Sequence, residues 1–434
     1  MSERVSRRVF AKTAMATAAG LTAASRARAQ GANERIRLGF IGVANRGGQL
    51  MTAFEEHDDA EIAALCDVYQ PTLEKALERA PDAKTYKDYR ELIAQKDLDA
   101  IVIATPDHWH ALQCVDGCKA GKDVYVEKPL CITVREGRMM VEAARKYDRV
   151  VQVGTHRRSS PLYTRLADLV QSDKVGHVHV ARCYRLSNMY PDGIGRLPHS
   201  DPPEGLDWDM WLGPRPMRPY QDNITPYKFR WWHLYSSQMG NWGVHYLDAI
   251  RWVTGELAPA SICTMGGQFV VKDDRTVPDT MEAVFEFASG RLAIFGQYEA
   301  SSNAALRQGE IELRGTQGTI YADANSFEIF PERGGQFQES GPRMEPMEDK
   351  DKGSNAALTA LHARNFLDCI KSREKPNADI EIGHRSTSFS LLANISLATK
   401  SRLEWDAERE VITNNEEANK LLHYEYREPW ELSV

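Results

Sequence analysis

The sequence has no excess of positive charge, no Cys-x-x-Cys pair, no long apolar run and no internal repeat. Its net charge of −7 argues against nucleic acid or an anionic membrane surface as a partner. The seven cysteines are scattered, and no histidine or carboxylate lies at metal-ligand spacing from Cys114 and Cys118. We therefore expect buried free thiols and no metal site. The 42% hydrophobic content over 434 residues is typical of a globular protein and is enough for two cores.

The N-terminus has the pattern of an export signal. The stretch SRRVFAK from Ser6 matches a twin-arginine motif, and a mildly apolar run follows from Thr13 to Ala24. That run is too short, and too rich in Ala, Thr and Gly, to span a bilayer stably. A small-x-small cleavage site closes it at residues 27–29. We therefore expect residues 1–29 to be a twin-arginine signal peptide and the mature protein to be periplasmic or otherwise extracytoplasmic.

Two different sequence patterns follow the predicted signal peptide. Up to Gly154, almost uninterrupted apolar runs such as IRLGFIG, DAIVIAT and RVVQVG alternate with helical patterns, as in strands that are covered on both faces. This alternation predicts a doubly wound parallel sheet over residues 34–155. Beyond it, alternating segments and hairpins such as FEFASGRLAIF predict an α+β domain over residues 156–400, with a mostly antiparallel open sheet. The fold class is therefore α/β, with residues 401–434 as a C-terminal tail.

The stretch FIGVANRGGQL from Phe40 resembles the phosphate-binding turn of a dinucleotide-binding Rossmann domain. Gly42, Ala44 and Gly47 stand where that turn has three glycines, and alanine is the mildest change at the middle position. Asp67 ends the next strand, where a carboxylate bonds the ribose hydroxyls of NAD and repels the extra phosphate of NADP. No arginine immediately follows Asp67, so the sequence predicts NAD, with NADP as the other option.

Three further motifs complete a family pattern: ATPDHWH from Ala104, EKPL from Glu127 and GNWGVHYLD from Gly240. Together with the turn they resemble the Gfo/Idh/MocA family of oxidoreductases, in particular its exported branch related to glucose-fructose oxidoreductase. In that family the Glu-Lys-Pro lysine is catalytic, its proline is commonly cis, and the Thr-Pro-x-x-x-His element lies against the cofactor. The cofactor-binding residues that the turn and this resemblance imply are Gly42, Ala44, Asn45, Arg46, Gly47, Asp67, Thr105, Pro106, His110, Glu127, Lys128 and Pro129.

The predicted catalytic residues are Lys128, His245 and Asn241. An ammonium at the end of a strand, beside a nicotinamide, can stabilise charge on a hydroxyl or carbonyl oxygen. The run QMGNWGVHYLDAIRWVTG predicts a helix that ends at Gly255. Its spacing alone leaves His245 open between a packed histidine and a general base, and the resemblance favours the base. Many relatives have Asp four residues earlier, whereas the amide of Asn241 cannot take a proton and can only orient substrate or imidazole.

Aromatic side chains indicate what enters the cleft. Six of the nine tryptophans fall between Trp208 and Trp252, and flat rings with a polar edge suit the faces and hydroxyl rims of pyranoses. Some of these rings must belong to the core. The predicted substrate-binding residues are Arg157, Trp231, Trp232, Tyr235 and Asp248.

These features predict an exported NAD(P)-dependent oxidoreductase that takes hydride from a ring hydroxyl carbon of a sugar or cyclic polyol and retains its cofactor. Two alternatives remain open: an NAD-dependent glycosidase or lyase that works through transient C3 oxidation and elimination, and a non-catalytic sugar- or nucleotide-binding protein. The expected partners are the sugar, the twin-arginine export machinery and further copies of the chain in a homo-oligomer. Neither nucleic acid nor membrane integration is expected.

Overall fold

The computed structural model describes residues 35–351 and 355–434. The predicted signal peptide lies outside these ranges. The strands are β1 Ile36–Ile41, β2 Ala60–Cys66, β3 Lys84–Tyr86, β4 Ala100–Ile103, β5 Asp123–Val126, β6 Val151–Val153, β7 Val178–Asn188, β8 Ser261–Gly267, β9 Thr280–Glu286, β10 Leu292–Tyr298, β11 Ala300–Ser301, β12 Ile311–Gly315, β13 Gly318–Ala322, β14 Ser326–Pro331, β15 Met347–Lys350, β16 Leu403–Asp406 and β17 Val411–Ile412.

The α-helices lie between these strands and after them. They are α1 Asn45–Glu55, α2 Gln70–Leu77, α3 Tyr89–Ile93, α4 His110–Lys119, α5 Val134–Lys146, α6 Pro161–Gln171, α7 Trp208–Leu212, α8 Val244–Thr254, α9 Asn355–Ser372, α10 Ile380–Thr399 and α11 Glu416–Asn419. Short 3₁₀ turns occupy Asp107–Trp109, His156–Ser159, Lys228–Trp231 and Lys420–Leu422, and a π-helical turn at Met239–Gly243 leads into α8.

The first six strands form one parallel sheet, which confirms the predicted Rossmann domain. Their order is β3-β2-β1-β4-β5-β6, so the strand order reverses between β1 and β4. Strands β4, β5 and β6 are buried along their whole length, as their apolar runs require. Ligands of such sheets bind at the carboxyl ends of the strands beside this reversal, which places the site next to the turn after β1.

The second sheet has eleven strands and is mostly antiparallel, as predicted; the β7–β10 pair is parallel. Helices α8 and α10 pack against each other, and α10 also packs on β8. The tail differs from the expectation, because residues 403–406 form β16, which pairs with β8 and extends the sheet. That strand has four residues, too few for an alternating pattern to be recognised.

The two domains share an interface. Helix α9 follows β15 of the second sheet in sequence, yet it returns to pack on α1 of the first domain. Phe366 of α9 meets Phe54 and Tyr125 edge to face, with ring centres 6.3 Å and 5.9 Å apart. Arg138 of α5 bonds Glu381 of α10 at 2.9 Å. These contacts fix the position of the second domain over the carboxyl edge of the first sheet.

Residues 201–235, called the connection below, lie between β7 and the π-helical turn. The connection holds α7 and a 3₁₀ turn, and its aromatic side chains form a separate buried cluster. Of the seven cysteines, six are buried and Cys263 is exposed, and all are free thiols. None of the helices within the described ranges combines the length and the apolar character that a bilayer crossing requires.

Candidate functional site

The turn after β1 is shaped by two glycines that admit no side chain. Gly42 has φ +81°, and a Cβ there would stand 2.8 Å from the backbone of Ala104 and Thr105. A Cβ at Gly47 would lie 2.1 Å from the carbonyl oxygen of Gly42. Ala44 has φ −71°, an ordinary conformation, and is exposed. The alanine at the middle position therefore destabilises the turn little. The two glycines still allow the backbone to approach a dinucleotide closely.

The N-terminus of α1 faces the same space. Ala44 caps this helix without a side-chain hydrogen bond, so the first N–H groups of the helix are free. Such a helix end attracts the negative pyrophosphate of a dinucleotide. Asn45 and Arg46 begin the helix, and both line the adjoining pocket. The backbone and charges of this turn therefore fit NAD.

Asp67 is fixed beside the turn by two backbone donors. Its Oδ2 accepts from the N–H of Val43 at 3.0 Å, and its Oδ1 accepts from the N–H of Tyr69 at 3.0 Å. Burial raises the pKa of Asp67, and these two hydrogen bonds oppose that rise. Each carboxylate oxygen keeps a lone pair for a ribose hydroxyl.

Replacing Asp67 by asparagine is expected to loosen the choice between cofactors. The change removes the charge that repels a 2′-phosphate, so the ratio of the NADP to the NAD dissociation constant should fall ~10-fold. Titrating both nucleotides by fluorescence measures this ratio, in which any general weakening of the turn cancels. Asp82→Asn, at an exposed position outside the pocket, serves as the control. An unchanged ratio in D67N would show that this carboxylate does not select the cofactor.

A cavity of about 410 Å³ extends from this turn to the second domain. Its walls come from the carboxyl ends of β1, β2, β4 and β5, from the connection 201–235 and from the π-helical turn. All predicted cofactor-binding residues line it except Gly47, His110 and Pro129. Those three support the wall: His110 bonds the carbonyl oxygens of Pro129 and Thr105 at 2.8 Å and 3.0 Å.

Glu127 holds the end of β5 together. Its carboxylate is 3% exposed and accepts from Arg46 Nε at 2.8 Å and from the N–H of Lys128 at 3.1 Å. Burial alone would raise the pKa of Glu127, but the charges of Arg46 and Lys128 hold it below its ordinary value. A Cβ at Gly154 would stand 2.7 Å from Glu127 Oε1, which explains a glycine at the end of the neighbouring strand.

Lys128 reaches across the domain boundary to Asn241. Its Nζ donates to the side-chain Oδ1 and to the backbone oxygen of Asn241, each at 2.9 Å, and the peptide bond to Pro129 is cis. Burial lowers the pKa of Lys128 to about 8, although the charge of Glu127 opposes the shift. At pH 7 the side chain is therefore mostly an ammonium, with its proton held weakly enough for it to be given up.

A hydrogen-bonded network fixes which way the Asn241 amide points. Its Oδ1 also accepts from Arg230 Nε at 3.2 Å, and its Nδ2 donates to Gln238 Oε1 at 3.3 Å. Gln238 Nε2 donates in turn to Glu299 Oε1 at 2.7 Å, and Glu299 is 1% exposed. Because the buried carboxylate can only accept, the orientation of both amides follows, and Asn241 turns its oxygen to Lys128.

His245 lies one helical turn beyond Asn241. Its ring is half-buried, 6.3 Å from the ring of Trp242 and 5.5 Å from that of His156. Burial, followed by the positive charge of Lys128, sets the pKa of His245 well below its ordinary value. Within the described part of the chain its ring makes no hydrogen bond, and it lies just outside the cavity lining, next to the Trp242 ring that belongs to that lining. His245 is therefore a neutral imidazole with a nitrogen free to accept a proton.

The structure does not bring the five predicted substrate-binding residues to the cavity. The side chain of Arg157 pairs with Glu310, and Asp248 is 1% exposed and bonds Arg158 Nε at 2.9 Å. Asn241 lies inside the π-helical turn before α8, which widens the helix, so the 3.6-residue spacing that would place Asp248 on the same face as Asn241 does not hold there. The three aromatic residues belong to the buried cluster of the connection: Trp231, Trp232 and Tyr235.

Other residues take their place, and sequence reasoning missed most of them. Asp107, which is buried and accepts from Ser236, lines the cavity. Its position inside the motif ATPDHWH was the only available signal. The aromatic lining consists of Tyr69, Tyr89, Trp109, Trp211, Tyr227, Phe229 and Trp242. Trp211, Tyr227 and Trp242 lie in the tryptophan-rich window, but no periodicity separates rings that face the cavity from rings that face the core.

Comparisons with known proteins agree with this geometry. Residues 36–155 match the model described as oxidoreductase family, NAD-binding Rossmann fold. Residues 163–321 match the GFO/IDH/MocA C-terminal domain, and residues 345–432 match the oxidoreductase family C-terminal alpha/beta domain.

Individual relatives are more distant. An alpha-N-acetylgalactosaminidase of Shewanella oneidensis is 34% identical over 122 residues, which are 26% of this chain and 27% of that protein. The chain thus spans about a quarter of the length of this curated relative. A levoglucosan dehydrogenase in complex with NADH and levoglucosan has a TM-score of 0.66 at 17% identity, covering 86% of this chain and 99% of that one. An aldose-aldose oxidoreductase from Caulobacter crescentus has a TM-score of 0.63 at 17% identity, covering 86% of this chain and 100% of that one.

The family models together span both domains, so this chain belongs to the Gfo/Idh/MocA family of oxidoreductases and carries that family's NAD-binding Rossmann domain.

Proposed function

We propose that this protein oxidises a ring hydroxyl of a sugar or cyclic polyol with NAD that it retains between turnovers, and that a second sugar or ketose reoxidises the bound NADH. The observation that carries the proposal is the pairing of Lys128 with Asn241 at 2.9 Å, beside the neutral His245 and at the end of the cofactor cavity. A non-catalytic binding protein has no need of a lysine whose pKa is lowered to about 8 next to an unprotonated imidazole.

The residues divide the chemistry between them. The nicotinamide, when bound, supplies the hydride acceptor. Lys128 donates to the reacting oxygen and stabilises the negative charge that develops there. His245 accepts the hydroxyl proton, since its imidazole is neutral at pH 7. Asn241 positions the Lys128 ammonium by two hydrogen bonds and takes no proton itself.

Retention of the cofactor is supported by the connection 201–235, which covers the cavity. Its backbone pairs with the first domain beside Asp67: Gln70 N–H donates to the Gly205 oxygen and Asp207 N–H to the Val68 oxygen, each at 3.0 Å. The C-terminal segment holds this cover from outside, because Arg427 Nη1 bonds Asp209 Oδ1 at 2.6 Å. These three hydrogen bonds hold the connection against the first domain at one wall of the cavity, and moving it away from a bound dinucleotide would break them.

A glycosidase or lyase is the second candidate, and the Shewanella relative favours it. In this reaction bound NAD would supply the transient oxidation; elimination would then expel the aglycone, water would add across the double bond that forms, and the oxidised carbon would be reduced again. His245 and Lys128 provide a base and an acid for those steps. This activity releases a free sugar without accumulation of NADH or a keto-sugar, and that separates the two candidates.

The test begins with the purified mature protein. It is denatured, and any released nucleotide is identified by mass; a sugar and glycoside panel is then assayed for keto-sugar and for free aglycone. We expect about one NAD per chain and keto-sugar from at least one pyranose. Free aglycone without keto-sugar would select the glycosidase. Protein that is empty, and that takes up no NAD at millimolar concentration, would overturn both candidates.

We propose further that the protein acts outside the cytoplasm and assembles with copies of itself. The twin-arginine pattern of residues 1–29 supports export by a route that carries folded proteins, so NAD bound in the cytoplasm would travel with the chain. The uncovered face of the second sheet supports assembly, since Met265 of β8 is 75% exposed on it. Cell fractionation tests the first proposal and sedimentation tests the second.

A further inference from the structure

Three cationic side chains meet around Asn241 and Trp242 with no carboxylate paired to them. Lys128 and Arg230 both donate to Asn241 Oδ1, at 2.9 Å and 3.2 Å. The guanidinium of Arg185 lies 3.8 Å from the centre of the Trp242 ring. Within residues 35–351 and 355–434, none of the three cations forms an ion pair. Arg230 and Arg185 therefore bring unpaired positive charge close to the end of the cavity that adjoins the reacting lysine.

Arg230 is held in place with one edge free. Its Nη1 donates to the Tyr227 oxygen at 3.0 Å, and its guanidinium carbon lies 4.3 Å from the centre of the Tyr227 ring and 4.5 Å from that of Phe229. Its Nη2 bonds no residue in the part of the chain that the structure describes. All three of these residues line the cavity. A fixed guanidinium with a free edge is a ready donor to an oxyanion.

Arg185 is the second free donor. It lies near the end of β7 and is partly buried, and its side chain forms neither a hydrogen bond nor an ion pair with any described residue. Its guanidinium stacks on Trp242, whose ring lines the cavity and is 6.3 Å from that of His245, and its charge opposes the rise that burial causes in the pKa of Tyr246. The stacking orients the guanidinium and leaves its N–H groups unused.

Two buried carboxylates lie near these cations but bond neither arginine: Glu127 acts on Lys128, and the charges of Arg230 and Lys128 oppose the rise that burial causes in the pKa of Asp107. Glu127 is already bonded to Arg46, and Asp107 accepts from Ser236. Glu299 is 1% exposed and lies behind Gln238. A partly buried cation without a partner is costly, and an anionic ligand that pairs with it recovers that cost.

We propose that the sugar substrate carries an oxyanion group, a carboxylate or a sulfate ester, which Arg230 and Arg185 bind. This inference rests on the proposed function and narrows its substrate class. The pyrophosphate of NAD has its own place at the free N–H groups of α1, so the two arginines are available to the substrate.

The test compares a neutral aldose, its uronic acid and its 6-sulfate as matched substrates of the NAD-loaded protein. We expect kcat/KM for one of the acidic members to exceed that for the neutral member ~10- to 100-fold, as charged hydrogen bonds of this kind provide. Arg185→Gln and Arg230→Gln should each reduce this preference ~10-fold, mainly through KM. The control is Arg307→Gln, since Arg307 is likewise stacked, 3.9 Å from the Phe330 ring centre, but lies outside the cavity. It should keep the preference.

The possible results distinguish a failure of the oxyanion-binding proposal from a failure of the proposed sugar oxidation. A higher rate on the uronic acid identifies a carboxylate and a higher rate on the sulfated sugar identifies a sulfate ester; either result supports the inference. Equal kcat/KM on neutral and acidic sugars overturns it and leaves sugar oxidation standing. Weaker NAD binding in R185Q and R230Q, with the sugar preference unchanged, also overturns it by assigning the arginines to the cofactor. Absence of NAD reduction by any sugar overturns the proposed function itself.

Discussion

Lys128→Met is expected to lower kcat ~100- to 1000-fold while NAD stays bound, because one charged donor to the reacting oxygen is lost. Lys128 contacts Asn241 and lines the cavity, but it is not part of the turn that holds the dinucleotide. The measurement is the steady-state rate on the substrate that the sugar panel selects, together with the mass of the nucleotide released on denaturation. Lys174→Met, at an exposed position outside the cavity, is the matched control and should keep the full rate.

The pH dependence of the reaction rate gives a second test of the role of Lys128. The pKa of Lys128 is lowered to about 8, so its ammonium form is present below that pH and is lost as the pH rises through it. The rate of carbonyl reduction should therefore fall above pH 8 in the natural protein. Lys128→Arg keeps its charge in this range, and any activity it retains should lack that decline. A kcat in K128M within twofold of the natural rate would remove Lys128 from the mechanism.

The second large effect concerns the cover over the cavity. Gly205 has φ +85°, and a Cβ there would meet Gln70 Cβ at 3.2 Å. Gly205→Val strains the backbone at the point where the cover pairs with the first domain, at a cost of about 1–3 kcal/mol. We expect NAD to dissociate at least ~10-fold faster, which gel filtration followed by nucleotide analysis would record as empty protein.

The control for that substitution is Gly290→Val. Gly290 has nearly the same conformation, φ +83°, in a hairpin turn of the second sheet, and a Cβ there meets nothing within 4 Å. Gly290→Val therefore introduces similar backbone strain at a site remote from the cover, and this variant should retain NAD. Equal loss of NAD from both variants would mean that general destabilisation, and not the cover, sets retention.

The cofactor half of the site follows from sequence because its parts share one edge of a parallel sheet. The turn after β1, Asp67, Thr105 and Lys128 each stand at the end of a strand, so recognising the strands is enough to bring them together. Asn241 joins them because the helix start that carries it is short of side chains, with Gly240 and Gly243 on either side.

The substrate-binding residues could not be predicted from the sequence, because contacts between residues far apart in the chain determine which side chains face the cavity. Arg157 is taken by Glu310, which lies 153 residues away, and Asp248 by Arg158, 90 residues away. The side chain of Trp232 packs in the aromatic cluster, where its Nε1 donates to the backbone oxygen of Asn223 at 2.9 Å. Arg185 could not be found from the sequence, since nothing in the alternation of β7 marks one arginine as unpaired.

Stopped-flow absorbance at 340 nm on the NAD-loaded protein, mixed with its selected sugar, measures hydride transfer to the bound nicotinamide. Reduced nicotinamide should appear within the first turnover in the natural protein, and its appearance should be slowed ~100-fold or more in Lys128→Met. Turnover of the sugar without any change at 340 nm, at the same rate in protein stripped of nucleotide, would contradict this mechanism.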